Sequence, residues 1–162
     1  MVDQRAREEE STVAQNRKAR HEFFILETYE AGIVLTGTEI KSVRESRVNL
    51  KDGYARIENG EVWLFKVHIS PYEKGSYYNP DPDRARKLLM KKHEIIRLGS
   101  KLKERGLTLV PLRIYIKNRR WAKVELALVK HKTKGDQRDS IAERDAEREM
   151  ARAVRRRRED SD

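Results

Sequence analysis

The chain has 162 residues, of which 40% are charged and 37% hydrophobic, so we expect one core built from apolar residues concentrated in part of the chain. It contains no cysteine, which excludes disulfides, thiolate metal sites and a cysteine nucleophile. No apolar run approaches the roughly 18 residues of a membrane span, and the charged first residues lack the apolar stretch of a secretory signal. These features predict a cytoplasmic protein that does not enter a membrane.

The net charge of +10 is unevenly distributed. Residues 23–129 contain 21 basic and 13 acidic side chains, whereas residues 1–22 contain five of each and residues 130–162 contain 11 and nine. A basic folded body indicates a shaped surface that faces a polyanion, and nucleic acid is the leading class of partner. A protein that is merely soluble and has a high isoelectric point is the alternative.

Short apolar runs separated by turn residues predict strands over the middle of the chain. Phe23–Tyr29 and Ile33–Thr36 flank Glu30-Ala31-Gly32, and we expect two strands with a tight connection there. Thr36 stands three residues before Glu39, the spacing of a capping box, so a short helix should follow and reach about Ser46.

The pair Asn59-Gly60 is a strong hairpin signal, because both positions of its tight turn need a positive φ. It predicts two paired strands, Gly53–Asn59 and Glu61–Ile69. Residues 70–83 hold most of the prolines and should form a loop. Apolar residues then recur on one face of residues 83–104, which predicts a helix that Asp81-Pro82 begins. Lys91-Lys92-His93 leaves open whether that helix is broken.

A second hairpin is predicted from Leu107–Ile116 and Trp121–Val129, joined through Lys117-Asn118-Arg119-Arg120. Pro111 should mark an edge or a bulge, because proline cannot donate to the hydrogen-bond ladder. About six strands with two or three helices and no alternating βαβ order predict a mainly β fold. We expect a small antiparallel barrel of the oligonucleotide-binding type.

The apolar content falls sharply after Val129. Residues 139–158 have helical periodicity, but their apolar face is thin and like charges at i, i+4 destabilise an isolated helix. Those charges belong to Arg144, Arg148, Arg152 and Arg156. We therefore predict a flexible segment at 1–12, a barrel domain at 13–129, and a tail at 130–162 that is disordered when free and helical when bound to a phosphate backbone. A merely solubilising tail is the alternative.

Catalytic chemistry has little support in the sequence. The four histidines are scattered without the i, i+4 spacing of a helical metal pair, and we predict neither a metal nor a cofactor. Nuclease activity stays open only because RNA binding and RNA cleavage both use basic surfaces. Nucleic-acid binding, in contrast, has basic candidates at residues 16–21 and at Lys117, Arg119, Arg120 and Lys123, and stacking candidates in Tyr72, Tyr77, Tyr78 and Trp121.

Six segments, in order over roughly residues 13 to 138, resemble the SsrA-binding proteins, also called small protein B or SmpB. These proteins are the partners of transfer-messenger RNA in rescuing stalled ribosomes. The segments are Asn16-Arg17-Lys18-Ala19-Arg20-His21, Tyr29-Glu30-Ala31-Gly32-Ile33, Gly37-Thr38-Glu39-Ile40-Lys41-Ser42-Val43-Arg44, Gly60-Glu61-Val62-Trp63-Leu64, Arg84-Ala85-Arg86-Lys87-Leu88-Leu89 and Lys123-Val124-Glu125-Leu126-Ala127-Leu128.

The resemblance implies a non-enzymatic, monomeric barrel protein that binds the tRNA-like domain of transfer-messenger RNA. With elongation factor Tu and the aminoacylated RNA, it would reach stalled ribosomes for trans-translation and peptide tagging. The matched motifs imply an RNA-binding surface of Asn16, Arg17, Lys18, Arg20, Glu30, Leu89 and Lys123. The tail would occupy the decoding centre and the empty mRNA channel through His131, Lys132, Lys134, Asp136, Arg138, Arg144, Arg148 and Arg152.

The tail departs from the family's pattern at one position. Family members commonly carry an aromatic His or Tyr between a Gly-Lys-Lys run and Asp-Lys-Arg, whereas Gly135 stands there in this chain. We hypothesise that His131, four residues earlier, takes over the stacking contact. A generic RNA-binding or ribosome-associated translation protein that uses the same barrel remains the alternative function.

Overall fold

The computed structural model describes residues 9–74 and 78–159, and within them the chain forms nine strands and four helices. The strands are β1 (Glu10–Gln15), β2 (Phe23–Ile33), β3 (Val48–Asn49), β4 (Tyr54–Glu58), β5 (Glu61–Phe65), β6 (His68–Ile69), β7 (Arg86–Leu89), β8 (Leu107–Lys117) and β9 (Trp121–His131). The helices are α1 (Ala19–Glu22), α2 (Gly37–Arg44), α3 (Lys92–Lys101) and α4 (Lys134–Glu159).

Six antiparallel strands form a closed ring. Their order is β8-β4-β5-β7-β2-β9, and β9 pairs back onto β8. Strand β8 pairs with β1 as well as with β4 and β9. Its Leu109 pairs with Ala55 of β4, and its residues Arg113–Lys117 pair with β1, which lies outside the ring. Closure removes unpaired strand edges. The predicted mainly β barrel with embedded helices is confirmed.

Both predicted hairpins are confirmed, and local backbone chemistry explains them. Asn59 (φ 50°) and Gly60 (φ 74°) turn β4 into β5, with Glu58 directly opposite Glu61. Asn118 (φ 52°) and Arg119 (φ 58°) lie in the turn between β8 and β9. Asparagine and glycine tolerate this left-handed region better than other residues do.

The bulge predicted at Pro111 is also confirmed, since the register of β8 against β9 shifts between Pro111 and Arg113. The extra residue changes which positions face outward. Val110 pairs with Ala127 before the bulge, and Arg113 pairs with Glu125 after it, so an even and an odd position of β8 point to the same side of the sheet.

Two apolar clusters lie on opposite sides of β8 and β9. The inner cluster fills the barrel and includes Val62, Leu64, Leu88, Leu109, Ile114, Val124, Leu126 and Leu128. The outer cluster lies beneath α1 and consists of Ala19, Val110, Leu112, Ala127 and Val129, with Phe23 and Ile25 against it. Alternate residues of β9 therefore enter different clusters, as the two-residue period of a strand requires.

Strand β2 corrects the prediction of two strands. It runs without interruption through Glu30-Ala31-Gly32, and Gly32 pairs with Lys123 and with Leu89. The sequence pattern predicts a turn at Gly32, but a Cβ at this position would lie 3.3 Å from the Leu89 Cβ. Close approach between neighbouring strands explains the glycine here.

The predicted helix over residues 83–104 is wrong in its first part. Arg86–Leu89 form strand β7, and only Lys92–Lys101 are helical. Arg86 and Leu88 are buried while Leu89 is exposed, as the alternation of a strand requires. One of the two inward positions is occupied by a charged residue, so the sequence does not show the alternating apolar pattern of a strand.

Arg86 is buried because Glu39 is buried beside it. The Arg86 Nε donates to Glu39 Oε2 at 2.6 Å, and its terminal nitrogens donate to the Val67 and Pro82 carbonyl oxygens. Arg84 pairs with the other carboxylate oxygen, Glu39 Oε1. Glu39 also completes the predicted capping box of α2 with Thr36. The cluster joins α2, β7 and the preceding loop.

Helix α3 is held against β2 by a second ion cluster. Glu27 Oε1 accepts hydrogen bonds from Lys101 and, at 3.1 Å, from Arg97, while the Tyr29 hydroxyl donates to Glu27 Oε2. The Lys101 ammonium and the Tyr29 hydroxyl together hold the pKa of Glu27 at about 2.

Among the described residues, no helix is long and apolar enough to cross a membrane.

The ends of the barrel extend further than the sequence indicated. Strand β1 begins at Glu10 because it pairs with β8 as far as Lys117, and β9 continues to His131, opposite Phe23. Helix α4 begins at Lys134, and none of its described residues is buried.

Candidate nucleic-acid interface

Three of the predicted RNA-binding residues meet on the outer face of the barrel around Gly32. Strand pairing puts Lys123 opposite Gly32 on one side and Leu89 opposite it on the other. Glu30 is two residues before Gly32 on the same strand and therefore points to the same face. Residues that are 34 or more positions apart in the chain thus share one surface.

A groove of about 520 Å³ runs beside these residues. Its walls include Leu89 and Trp121, whose side chains are 54% and 57% exposed, and Lys123 lies at its edge. The Arg120 guanidinium lies 5.6 Å from the Trp121 ring centroid. Large exposed apolar side chains with a charged rim mark an interaction surface.

Glu30 is an ionised acceptor on this face. The Tyr115 hydroxyl donates to Glu30 Oε2, and Lys117 Nζ lies 3.2 Å from Glu30 Oε1. Partial burial raises the pKa of Glu30, but the hydrogen bonds from Tyr115 and Lys117 outweigh it, so the pKa lies below its ordinary value. Burial and the neighbouring Glu30 raise the pKa of Tyr115, which keeps its hydroxyl a donor.

The carboxylate next to Glu30 is neutralised within the protein. Glu125 is directly opposite Glu30 and accepts from Arg113 Nε at 2.5 Å. Arg113 also pairs with Glu10 at 2.9 Å and lies 4.1 Å from the Tyr115 ring centroid. This network was missed by sequence reasoning, because the bulge in β8 decides that Arg113 faces Glu125.

The predicted basic segment around α1 lies on the same outer face, at the other end of β9. Arg17, Lys18 and Arg20 are exposed, while Ala19 between them is buried in the outer cluster. Asn16 differs from them, because its side-chain amide donates to the Pro111 carbonyl oxygen at 3.1 Å and to the Leu50 carbonyl oxygen at 3.4 Å. The Asn16 amide therefore anchors this loop to the barrel.

The start of the tail is fastened to the body by Lys132. Its backbone N–H donates to the Glu22 carbonyl oxygen at 2.9 Å, and its ammonium donates to the Arg20 carbonyl oxygen at 3.0 Å and to Ser140 Oγ at 2.9 Å. The Lys132 ammonium also lies 5.0 Å from the Phe24 ring centroid. One side chain thus bridges α1, β2 and α4.

Helix α4 begins with a reciprocal cap. The Asp136 backbone N–H donates to Thr133 Oγ1 and the Thr133 N–H donates to Asp136 Oδ2, at 3.1 and 3.0 Å. The Thr133 backbone N–H and side chain lower the pKa of Asp136. Gly135 has open space around it, with only Thr133 Oγ1 at 3.7 Å from a Cβ placed there. His131 is exposed, and its ring centroid lies 4.4 Å from that of Phe23.

Comparison with known proteins identifies the family of this chain. The model of the family described as SmpB protein matches residues 13–156. The chain belongs to the SmpB family. The SsrA-binding protein of Desulforudis audaxviator (strain MP104C) is 64% identical over 150 residues, which are 93% of this chain and 97% of that protein. The SsrA-binding protein of Moorella thermoacetica (strain ATCC 39073 / JCM 9320) is 60% identical over 145 residues, 90% of this chain and 94% of that protein.

The fold also matches a solved chain described as "tmRNA-SmpB: a journey to the center of the bacterial ribosome". Its TM-score is 0.64 at 50% identity, and the match covers 79% of this chain and 93% of that chain. The resemblance to the SmpB family noted in the sequence is confirmed over nearly the whole chain.

The remaining predicted SmpB-family residues are distributed along the tail. All five of its predicted basic residues are exposed on α4, and Arg144 also lines a cavity that involves the body. They are Lys134, Arg138, Arg144, Arg148 and Arg152. The predicted stacking residues diverge: Tyr78 is 87% exposed, Tyr72 is half-buried with Lys41 over its ring, and Tyr77 lies outside the described residues. No group of three potential metal ligands occurs in the described part of the chain.

Proposed function

We propose that this SmpB-family chain is a non-enzymatic cytoplasmic protein that binds the tRNA-like domain of transfer-messenger RNA and delivers it to stalled ribosomes. The observation that carries the proposal is the convergence of Glu30, Leu89 and Lys123 around Gly32, in a chain whose curated relatives are named SsrA-binding proteins. A binding surface of this kind positions RNA and needs no reactive group.

Each residue at Gly32 has a different physical task. Gly32 keeps the floor of the groove low, so that RNA approaches the backbone. Leu89 and Trp121 offer apolar contact to sugar and base faces, whose stacking on an aromatic ring contributes about 1–3 kcal/mol per base. Lys123 neutralises a phosphate, and the oriented Glu30 carboxylate accepts hydrogen bonds from base amino groups.

Internal pairing makes this face attractive to RNA despite its acidic residues. Glu30 and Glu125 already accept hydrogen bonds from Tyr115, Lys117 and Arg113. The exposed cations toward α1 therefore meet RNA on a face whose Glu30 and Glu125 carboxylates are already paired. Glu30 contributes specificity, because repulsion from a phosphate opposes any binding mode that does not present a donor to it.

The tail has a separate task in the proposal. Helix α4 buries none of its described residues, so a partner must supply most of its stabilisation. We infer that the tail beyond Thr133 is largely disordered when free and folds as a helix in the decoding centre and the vacant mRNA channel. Lys134, Asp136 and Arg138 are then nearest the body, next to His131 and Lys132, which the body already holds. The aminoacylated RNA arrives with elongation factor Tu.

Competition binding tests the function. The full chain should hold transfer-messenger RNA against an excess of tRNA and ribosomal RNA fragments, and Lys123→Ala and Leu89→Ala should each weaken that binding. Because Lys123→Ala removes one phosphate contact, the logarithm of the binding constant should depend less steeply on the logarithm of the salt concentration. The magnitude of the slope should decrease by about 0.7 to 0.9. The control is Lys103→Ala, which removes an exposed lysine in the turn after α3. Equal affinity for all three RNAs would leave only a generic RNA-binding protein.

Nuclease activity needs its own measurement. The chain is incubated with transfer-messenger RNA and a divalent metal, and the RNA is analysed for new ends. We expect intact RNA. Cleavage that disappears in a body variant such as Glu30→Gln would replace the delivery function with a hydrolytic one.

A further inference from the structure

The feature that the proposed function leaves unused is a cavity of about 360 Å³ between the body and the tail. Arg17 and Arg20 line it from the α1 segment, Arg113 and Glu125 from the barrel, and Arg144 from α4. It is separate from the groove at Gly32. Four arginines and one glutamate line the same space.

The charges in this cavity are not balanced. Arg113 is neutralised by Glu125 at 2.5 Å and by Glu10 at 2.9 Å. Arg17, Arg20 and Arg144 have no carboxylate partner in residues 9–74 and 78–159. Like charges brought together without a counter-charge repel one another, so an anion that enters the cavity removes the repulsion that opposes docking of α4.

Arg144 reaches the cavity because of the way α4 leaves the barrel. The Lys132 ammonium links the Arg20 carbonyl oxygen to Ser140 Oγ, and the cap formed by Thr133 begins the helix. Arg144 follows Ser140 by four residues and therefore lies on the same face of α4, towards α1. Its Nε makes only a 3.4 Å bond to the Ser140 carbonyl oxygen, which leaves the ends of the guanidinium available.

We propose that this cavity is an RNA phosphate site shared by the body and the tail, and that filling it fixes the direction in which α4 leaves the barrel. The ligand is a backbone phosphate, because planar guanidinium groups bind phosphate oxygens in pairs. One arginine belongs to the tail and two belong to the body, so phosphate binding and the docked direction of α4 stabilise each other reciprocally. The inference rests on the proposed function for RNA as the partner, but not on the residues at Gly32.

A double-mutant cycle tests whether the arginines share one phosphate. Full-length Arg17→Ala, Arg144→Ala and the double variant are titrated against the tRNA-like fragment of transfer-messenger RNA and, separately, against purified small ribosomal subunits. These two arms identify which RNA supplies the phosphate. With that RNA, each single variant should lose about three- to ten-fold in affinity. The fold-loss of the double variant should be smaller than the product of the two single fold-losses, because both arginines contact the same phosphate. Arg144→Lys should fall between wild type and Arg144→Ala.

The matched control is Arg105→Ala, which removes an exposed arginine in the turn after α3. Its effect should be small, and combined with Arg17→Ala it should be additive. Equal losses for Arg105→Ala and Arg144→Ala, additive losses for Arg17→Ala and Arg144→Ala, or no loss with either RNA would overturn the shared site. Failure of the proposed function looks different, because the wild-type chain would then lack selective binding to transfer-messenger RNA.

The direction of α4 is measured in the same variants. The chain has no cysteine, so spin labels attached at Lys103→Cys and Met150→Cys report a single body-to-tail distance. The RNA that fills the cavity should narrow the distance distribution of the wild-type chain and leave that of the Arg144→Ala chain broad. Identical narrowing in both chains would overturn the coupling between the phosphate and the tail.

Discussion

Helix α4 carries about twice as many charges per residue as the barrel, and the two regions place their charges in opposite ways. In the barrel, charged side chains are paired and often partly buried, as Glu39 is with Arg86 and Glu125 is with Arg113. In α4 none of the described residues is buried. The barrel therefore presents a surface that exists before RNA arrives, whereas the tail acquires its stability from its partner. The binding surface of the body is preorganised, whereas the tail takes up its bound conformation on the partner.

Truncation after Thr133 should give the largest difference between the two regions. It keeps β9 whole, because β9 ends at His131. We expect the free energy of unfolding to change little and the affinity for transfer-messenger RNA to fall by no more than it does in Arg144→Ala, while rescue of stalled ribosomes is abolished. Urea unfolding, RNA titration and a peptide-tagging assay measure the three quantities. Loss of RNA binding would refute the division between body and tail.

Two substitutions at the junction test which residue supplies the missing aromatic contact. His131→Ala should abolish peptide tagging if His131 has taken over the stacking task, whereas Gly135→His should leave tagging unaltered. The open space around Gly135 accommodates a side chain, so misfolding does not explain a change in tagging by Gly135→His. His93→Ala, in an exposed position of α3, is the control. Tagging that survives His131→Ala and changes in Gly135→His would reverse the hypothesis.

Glu39→Ala should destabilise the body by about 3–5 kcal/mol, because it leaves the buried Arg86 and its neighbour Arg84 without their carboxylate. Glu147→Ala, in the exposed tail helix, should leave the unfolding midpoint unchanged. Urea denaturation of both variants measures the contrast. A small effect of Glu39→Ala would mean that the ion cluster is not needed to hold α2 against β7.

Acid should weaken the barrel gradually. The folded protein holds the pKa of Glu27, Glu30 and Glu39 below the ordinary value. The unfolded chain therefore binds these protons first as the pH falls, and the free energy of unfolding decreases below about pH 4.5, for Glu27 down to about pH 2. Glu27→Gln should flatten this decrease, as measured by urea unfolding at neutral pH and at about pH 3.

The tail should respond to acid in a smaller and separate way. Asp136 also has a lowered pKa, through the Thr133 N–H and hydroxyl. Its protonation weakens only the first turn of α4. Helical circular dichroism should then fall while the urea midpoint of the barrel does not change, and Asp136→Asn should remove the effect. A midpoint that moves with Asp136→Asn would show that the tail contributes to the stability of the body.

Local rules explain what could be predicted. The Asn59-Gly60 turn, the Thr36 capping box and the bulge at Pro111 each depend on a few neighbouring residues and their allowed backbone angles. The same neighbours suffice to recognise the SmpB family, since its motifs are short and stand in order. These features were therefore available from the sequence.

The errors arose where a distant partner decides the structure. The sequence predicts a helix at Arg86–Leu89, because a buried arginine contradicts the expected strand pattern unless Glu39, 47 positions earlier, lies beside it. The sequence predicts a turn at Gly32, because adjacent residues do not reveal the close approach of Leu89.

The sequence by itself determined the family, the hairpins, the basic body and the weak packing of the tail, since these depend on composition and on short-range backbone preferences. Only the tertiary structure decided that Glu30, Leu89 and Lys123 share one face, and that Arg144 of the tail lines a cavity with Arg17 of the body. Strand register and the bulge at Pro111 set those positions, because one inserted residue changes the side of the sheet to which every following side chain points.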